Sequence, residues 1–218
     1  MGQTHARLRV TFFIAAILGS LSIAAGDPAA GFAEASAVFE RAKRGEPRAS
    51  ERASELFQKL SEQDPANPLY LAYWGSSDAM RGRDASMPWN KMKFARGGLD
   101  LIDRALARLT PAHDQMTVGA VPVSVETRLV AASTFLAVPD FLDRFERGKA
   151  VVAEALRSPA YARSPGPIRA QLQHQAALVA RREKRDGDEA VALRDVLALQ
   201  ADGPIADQAK ARLKELGR

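Results

Sequence analysis

The chain holds 218 residues, 46% hydrophobic and 26% charged, a balance that excludes a disordered or collagen-like polymer and fits a soluble globular protein. Cysteine is absent, which excludes disulfides, thiolate catalysis, cysteine-based metal sites and a lipid-modified N-terminal cysteine. The formal charge of +5 falls to +3 once Arg7 and Arg9 are set aside with the leader described next, too small and too dispersed for a nucleic-acid binder.

Residues 1–26 are ordered as a short basic stretch with Arg7 and Arg9, an uncharged run over 10–25 carrying Phe12, Phe13, Ile14, Ile17, Leu18, Leu21 and Ile23, and the small residues Ala24, Ala25 and Gly26. Basic, then apolar, then small is the physical profile of a secretory signal peptide. The apolar run is short of the ~20 residues that cross a bilayer comfortably, and Gly19, Ser20 and Ser22 weaken it further as an anchor. The expectation is an exported protein, periplasmic or otherwise extracytoplasmic, cleaved after Ala25 or Gly26. Ala33, Glu34 and Ala35 offer a second small-x-small site. The alternative is an uncleaved anchor, with membrane contact confined to this segment.

Residues 27–218 read as one helical domain. Helices are expected at about 29–44, 49–63, 68–82, 91–109, 123–137, 140–157, 167–185, 188–200 and 205–217. Turn signals separate them, among them Gly45 with Pro47, Asp64 with Pro65, Ser158 with Pro159, and Asp186 with Gly187. No stretch alternates with a period of two, so no sheet is expected. Aromatic content is low at 6% while alanine and leucine dominate the apolar set, which suits close helix packing.

Amphipathic helices of this length, separated by a few residues, bury both faces only when hairpins stack. In the second helix Ala53, Phe57 and Leu60 precede Pro65, and Ala192, Val196, Leu199 and Pro204 repeat those offsets near the C-terminus. Leu71, Trp74 and Gly75 follow Pro68 at first-helix spacing, and Ala176, Val179 and Ala180 do so before the second copy. Ala206, Ala209, Ala211, Leu213 and Leu216 then mark a capping helix. On these residues the chain resembles a degenerate tetratricopeptide-repeat protein, with about two legible repeats near 31–68 and 173–204. The resemblance implies an all-α right-handed superhelix of stacked antiparallel helical hairpins whose concave groove holds a protein or peptide partner. Gly98, Ile102 and Ala105 keep second-helix spacing but arrive 11 residues late, and Arg44 stands where an aromatic is common. Residues 70–145 also look like a segment of exported bacterial proteins with degenerate repeats and no assigned activity.

The 11-residue excess falls at residues 81–91 and reads as a loop over 84–90. Tyr70, Tyr73, Trp74, Trp89 and Phe94 gather around it, as do Arg81, Arg83, Lys91, Lys93 and Arg96 against Asp84 alone. Aromatic and guanidinium groups are enriched among interface hot spots. The candidate partner-binding set is therefore Arg81, Arg83, Trp89, Asn90, Lys91 and Lys93, weighed against a packing role in which Trp89 plugs the top of the hairpin. Arg128 joins the set because it interrupts an apolar helix, and a buried arginine needs a carboxylate. Asp100, Asp103 or Asp143 is the expected partner in a structural ion pair.

Chemistry of other kinds finds little support. His5 belongs to the leader, and neither His113 nor His174 has a ligand at metal spacing. No nucleophile elbow, phosphate loop or dinucleotide fingerprint occurs, and Gly97 with Gly98 reads as a close helix contact. Glu51 with Glu55 is a solvated helix face, and the basic runs at 41–52 and 181–185 are helix termini. No catalytic, cofactor-binding or metal-binding residue is expected. The expected function is a non-catalytic adaptor, scaffold or assembly factor of the cell envelope, with a membrane-anchored structural protein as the alternative and an enzyme or small-ligand binder behind both.

Overall fold

The computed structural model describes residues 28–218, and the leader reading at residues 1–26 lies outside them. The described chain is all-α. Its helices are α1 (Pro28–Lys43), α2 (Ala49–Gln63), α3 (Pro68–Asp84), α4 (Pro88–Ala107), α5 (Val123–Ala137), α6 (Phe145–Arg157), α7 (Pro159–Arg163), α8 (Gly166–Arg182), α9 (Asp186–Leu199) and α10 (Pro204–Glu215). Six of them, α1, α3, α4, α7, α8 and α10, carry proline in the first two positions, where its fixed φ suits the helix and its missing N–H costs nothing. Asn67 completes the start of α3 by accepting a hydrogen bond from the Leu69 amide at 3.2 Å. The second small-x-small triplet sits inside α1, with Ala35 fully buried.

Three expectations need correction. A short antiparallel ladder, β1 (Thr117–Val118) with β2 (Val121–Pro122), exists between α4 and α5; two residues per strand are too few for a two-residue period to show in sequence. The helix expected from 140 begins only at Phe145, because residues 140–142 form a 3-10 turn closed by Asp143 with φ at 53°. The loop expected over 84–90 shrinks to residues 85–87. The extra residues instead lengthen the helices on either side, to 17 in α3 and 20 in α4.

With the five-residue α7 set aside, consecutive helices touch along the chain, and so do alternate ones: α1 with α3, α3 with α5, α5 with α8, and α8 with α10. Residues at the repeat offsets form the seam, with Ala53, Phe57, Leu60, Ile102, Ala105, Ala192 and Val196 buried. One apolar cluster joins α4, α5, α6 and α8 through Ile102, Phe135, Val151 and Val179, and another joins α8 to α10 through Ala177, Leu193 and Leu213. At the other end Tyr73 stacks on Phe57 at 4.6 Å between ring centroids, and Phe39 meets Tyr73 edge-on at 4.9 Å.

Among the described helices the most extensive contact lies between α3 and α4. A methyl group added at Gly75 would sit 2.4 Å from the Gly98 carbonyl oxygen, and one at Gly98 would sit 2.3 Å from the Gly75 oxygen. Gly82 is similarly close to the Lys91 oxygen and the Ala95 amide, at 2.8 Å each. Partners thus fall in number along α4 as they rise along α3, the register of an antiparallel hairpin packed backbone against backbone. Gly97 faces open space. Gly98→Ala is therefore expected to lose about 1–3 kcal/mol of stability through overpacking, while Gly97→Ala gains up to ~1 kcal/mol from helix propensity. Urea denaturation of the two variants measures the difference.

Candidate binding cleft

The alternate helices α1, α3, α5 and α8, with an edge of α4, wall a cleft of about 730 Å³, within the ~300–1,000 Å³ typical of ligand sites. On α3 the cleft side reads Tyr73, Ser76, Met80 and Arg83, spaced three, four and three residues apart as one helical face requires. On α5 it reads Val130, Ser133, Thr134 and Ala137, and on α4 Lys91, Met92 and Ala95. The segment after α5 adds Val138, Pro139, Phe141 and Leu142, with Phe141 72% exposed on the rim.

Most of this lining is apolar, and two methionines give it a surface that reshapes at low cost. On the floor the Thr134 hydroxyl lies 2.8 Å from both the Ser76 hydroxyl and the Val130 carbonyl oxygen, so those polar atoms are satisfied within the protein. Charge collects at one end, where Lys43, Arg83 and Lys91 stand against Glu40 alone. Glu40 accepts from Lys43 at 3.0 Å. Arg83 donates to the Ala42 carbonyl at 2.8 Å, satisfying the last turn of α1, and to Asp84 at 2.7 Å. Lys91 remains exposed and makes no ion pair among the described residues.

Behind the cleft wall the Tyr73 hydroxyl donates to Glu126 on α5 at 2.7 Å, tying α3 to α5. Burial pushes the Glu126 carboxyl above its ordinary value of 4.5, and the Tyr73 hydrogen bond opposes that only in part. Burial, reinforced by the neighbouring Glu126, raises the Tyr73 phenol well above its ordinary range and keeps it a donor.

The sequence-derived candidates do not form one surface. Arg81 is structural: it donates to Asp78 at 2.9 Å, and its guanidinium lies 4.1 Å over the Phe94 ring. Arg83 and Lys91 border the cleft. Trp89 does not plug the hairpin; it is 67% exposed in the first turn of α4, followed by half-exposed Asn90. Lys93 is exposed, 5.9 Å from the Phe94 ring. Arg128 donates to the Ser124 carbonyl at 3.2 Å and faces Glu154 at 4.0 Å, so none of the three expected aspartates is its partner. Arg144 and Arg147 reach Asp103, and Arg147 also faces Glu154, further along α6, at 3.9 Å. The Arg128 Nε is buried without a hydrogen-bond partner among the described residues.

Sequence reasoning named Tyr73 only among the aromatics gathered near the loop, and it missed Met80, Met92, Phe141 and the Tyr73–Glu126 pair as site elements. A second stripe on α3, offset from the buried one and running 73, 76, 80, 83, was the available signal. His113 is accounted for within its own turn: its Nδ1 meets the Thr110 amide at 3.0 Å, and its Nε2 lies 3.2 Å from the Ala66 carbonyl. No group of three or more histidines and carboxylates that could hold a metal occurs among the described residues, and no described helix is long and apolar enough to cross a membrane.

No protein-family model matches the chain, and no curated protein or solved structure matches it either.

The Glu126 environment makes a pH prediction. With its folded-state pKa raised, the native protein holds more protons than the unfolded chain between pH 4.5 and that pKa, so this group's contribution falls as pH rises through the window. Glu126→Gln retains an acceptor for Tyr73 and removes the buried charge. It is expected to melt higher than the wild type at pH 7, with the gap closing below pH 4.5. Calorimetry across pH 4–8 measures it.

Proposed function

We propose that this chain is a non-catalytic binding module that receives an apolar peptide segment of a partner protein in the cleft between α1, α3, α5 and α8. The observation that carries the reading is the cleft itself: an apolar channel walled by alternate helices, edged by Met80, Met92 and Phe141, with Lys43, Arg83 and Lys91 crowded at one end. That charge bias suits a segment with an acidic group beside its apolar residues. A right-handed superhelix of the tetratricopeptide kind is part of the proposal, supported by the contacts between alternate helices and by the buried residues at repeat offsets. The order of residues 1–26 supports export, so the partner would be a component of the cell envelope. There the module would act as an adaptor or assembly factor.

The test uses site-specific photocrosslinking in cells that export the chain. A photoreactive residue in place of Met92 is expected to give one dominant adduct, and the same residue in place of Val191, which is 55% exposed on α9, to give none. Met80→Glu in the Met92 background, placing a carboxylate on the apolar wall, is expected to remove that adduct by at least tenfold. Equal adduct patterns at the two positions, or an adduct indifferent to Met80→Glu, would refute a cleft-bound partner.

A further inference from the structure

The outer face of α4 carries a second surface, distinct from the cleft. Met87 is 47% exposed and Trp89 67%, placing two of the five most exposed large apolar side chains among the described residues at one helical turn-tip. Trp89, Lys93 and Arg96 follow at i, i+4 and i+7, a single stripe of α4, and all three are exposed. Residues 85–99 contain three cations, Lys91, Lys93 and Arg96, and no acid. None of the three makes an ion pair among the described residues, whereas Arg81 and Arg83 in the turns just before are paired with Asp78 and Asp84.

We propose that this tip docks the chain onto an anionic phospholipid surface, with Trp89 and Met87 entering the headgroup–acyl boundary and Lys93 and Arg96 against lipid phosphates. The chemistry of each part fits that occupant. Indole rings favour the interface because one edge is apolar and the N–H still finds a polar partner. Unpaired cations within a few ångströms of an anionic bilayer each add to binding. A protein partner fits less well. Two apolar side chains are far short of the roughly 1,000 Å² that a stable protein interface buries, whereas a bilayer surface needs only a few inserted groups. The support beneath is stiff, since α3 and α4 touch backbone to backbone through Gly82, Lys91 and Ala95. This inference stands on its own observations and does not depend on what the cleft holds.

The test follows Trp89 itself, because residues 10–25 of the full chain are apolar and bring a membrane affinity of their own. Trp89 emission is taken as the difference between the wild type and Trp89→Phe, which leaves Trp74 common to both. On phosphatidylglycerol vesicles with brominated acyl chains the Trp89 signal is expected to shift to the blue and be quenched, and on phosphatidylcholine vesicles to stay unchanged. Lys93→Gln combined with Arg96→Gln is expected to raise the lipid concentration for half-quenching by roughly twenty-five-fold, from about fivefold per cation. An unchanged Trp89 signal on anionic vesicles would overturn the proposal, as would equal quenching on neutral ones. So would burial of Trp89 that appears without lipid as the protein is concentrated, which would assign the surface to a second copy of the chain.

Discussion

The contact between the α3 and α4 backbones at Gly75 and Gly98 determines how the rest of the described chain is arranged. Neither glycine carries a side chain, so the helices approach until carbonyl oxygens would meet any added methyl at 2.3–2.4 Å. Dispersion between such closely apposed surfaces accumulates over many atoms, and the glycines' own conformational cost is offset by it. More important is the rotation this contact fixes. With Gly98 and Gly82 at the seam, Lys91, Met92 and Ala95 turn toward the cleft, while Trp89, Lys93 and Arg96 follow an exposed stripe.

From that hairpin the order propagates in both directions. Toward the N-terminus, Tyr73 stacks on Phe57 and meets Phe39, so α1, α2 and α3 share one aromatic cluster. Toward the C-terminus, the Tyr73 hydroxyl reaches Glu126, and Thr134 reaches Ser76, joining α3 to α5 by polar contacts at 2.7 and 2.8 Å. Farther on, Arg212 makes two hydrogen bonds to the buried carboxylate of Glu189, at 2.7 and 3.1 Å, and so fixes α10 against α9. Each joint pairs a buried apolar seam with a small number of directed polar bonds. The seam supplies most of the driving force and the bonds set the register.

The helices were legible in the sequence because their signals are local. Pro68 and Pro204 mark starts, Ala53, Phe57 and Leu60 mark a buried stripe, and of the Gly97–Gly98 pair read as a close contact Gly98 makes that contact while Gly97 faces open space. What escaped was set by distance between segments. The residues after Arg81 looked like a loop because glycine, proline and charge cluster there, yet the close α3–α4 contact draws them into helix through Asp84 and again from Pro88. Arg128 was expected beside Asp100, Asp103 or Asp143, but the carboxylate nearest it is Glu154, at 4.0 Å and shared with Arg147. The cleft was half legible: Arg83 and Lys91 were chosen for their charge, and Met80, Met92 and Phe141 were passed over because an isolated apolar residue reads as core until its helix is seen to face a gap. Trp89 was chosen as a binding residue, and its exposure separates it from the cleft rather than placing it inside.

Native-state hydrogen exchange tests the central claim most directly, because it reads the free energy at which each backbone amide opens. If the α3–α4 contact organises the domain, amides flanking Gly75 and Gly98 should exchange only through global unfolding, with an opening free energy equal to that from denaturant melts and higher than that of the outer helices α1 and α10. Exchange at those amides through a local opening of lower free energy, with α1 or α10 better protected, would contradict it.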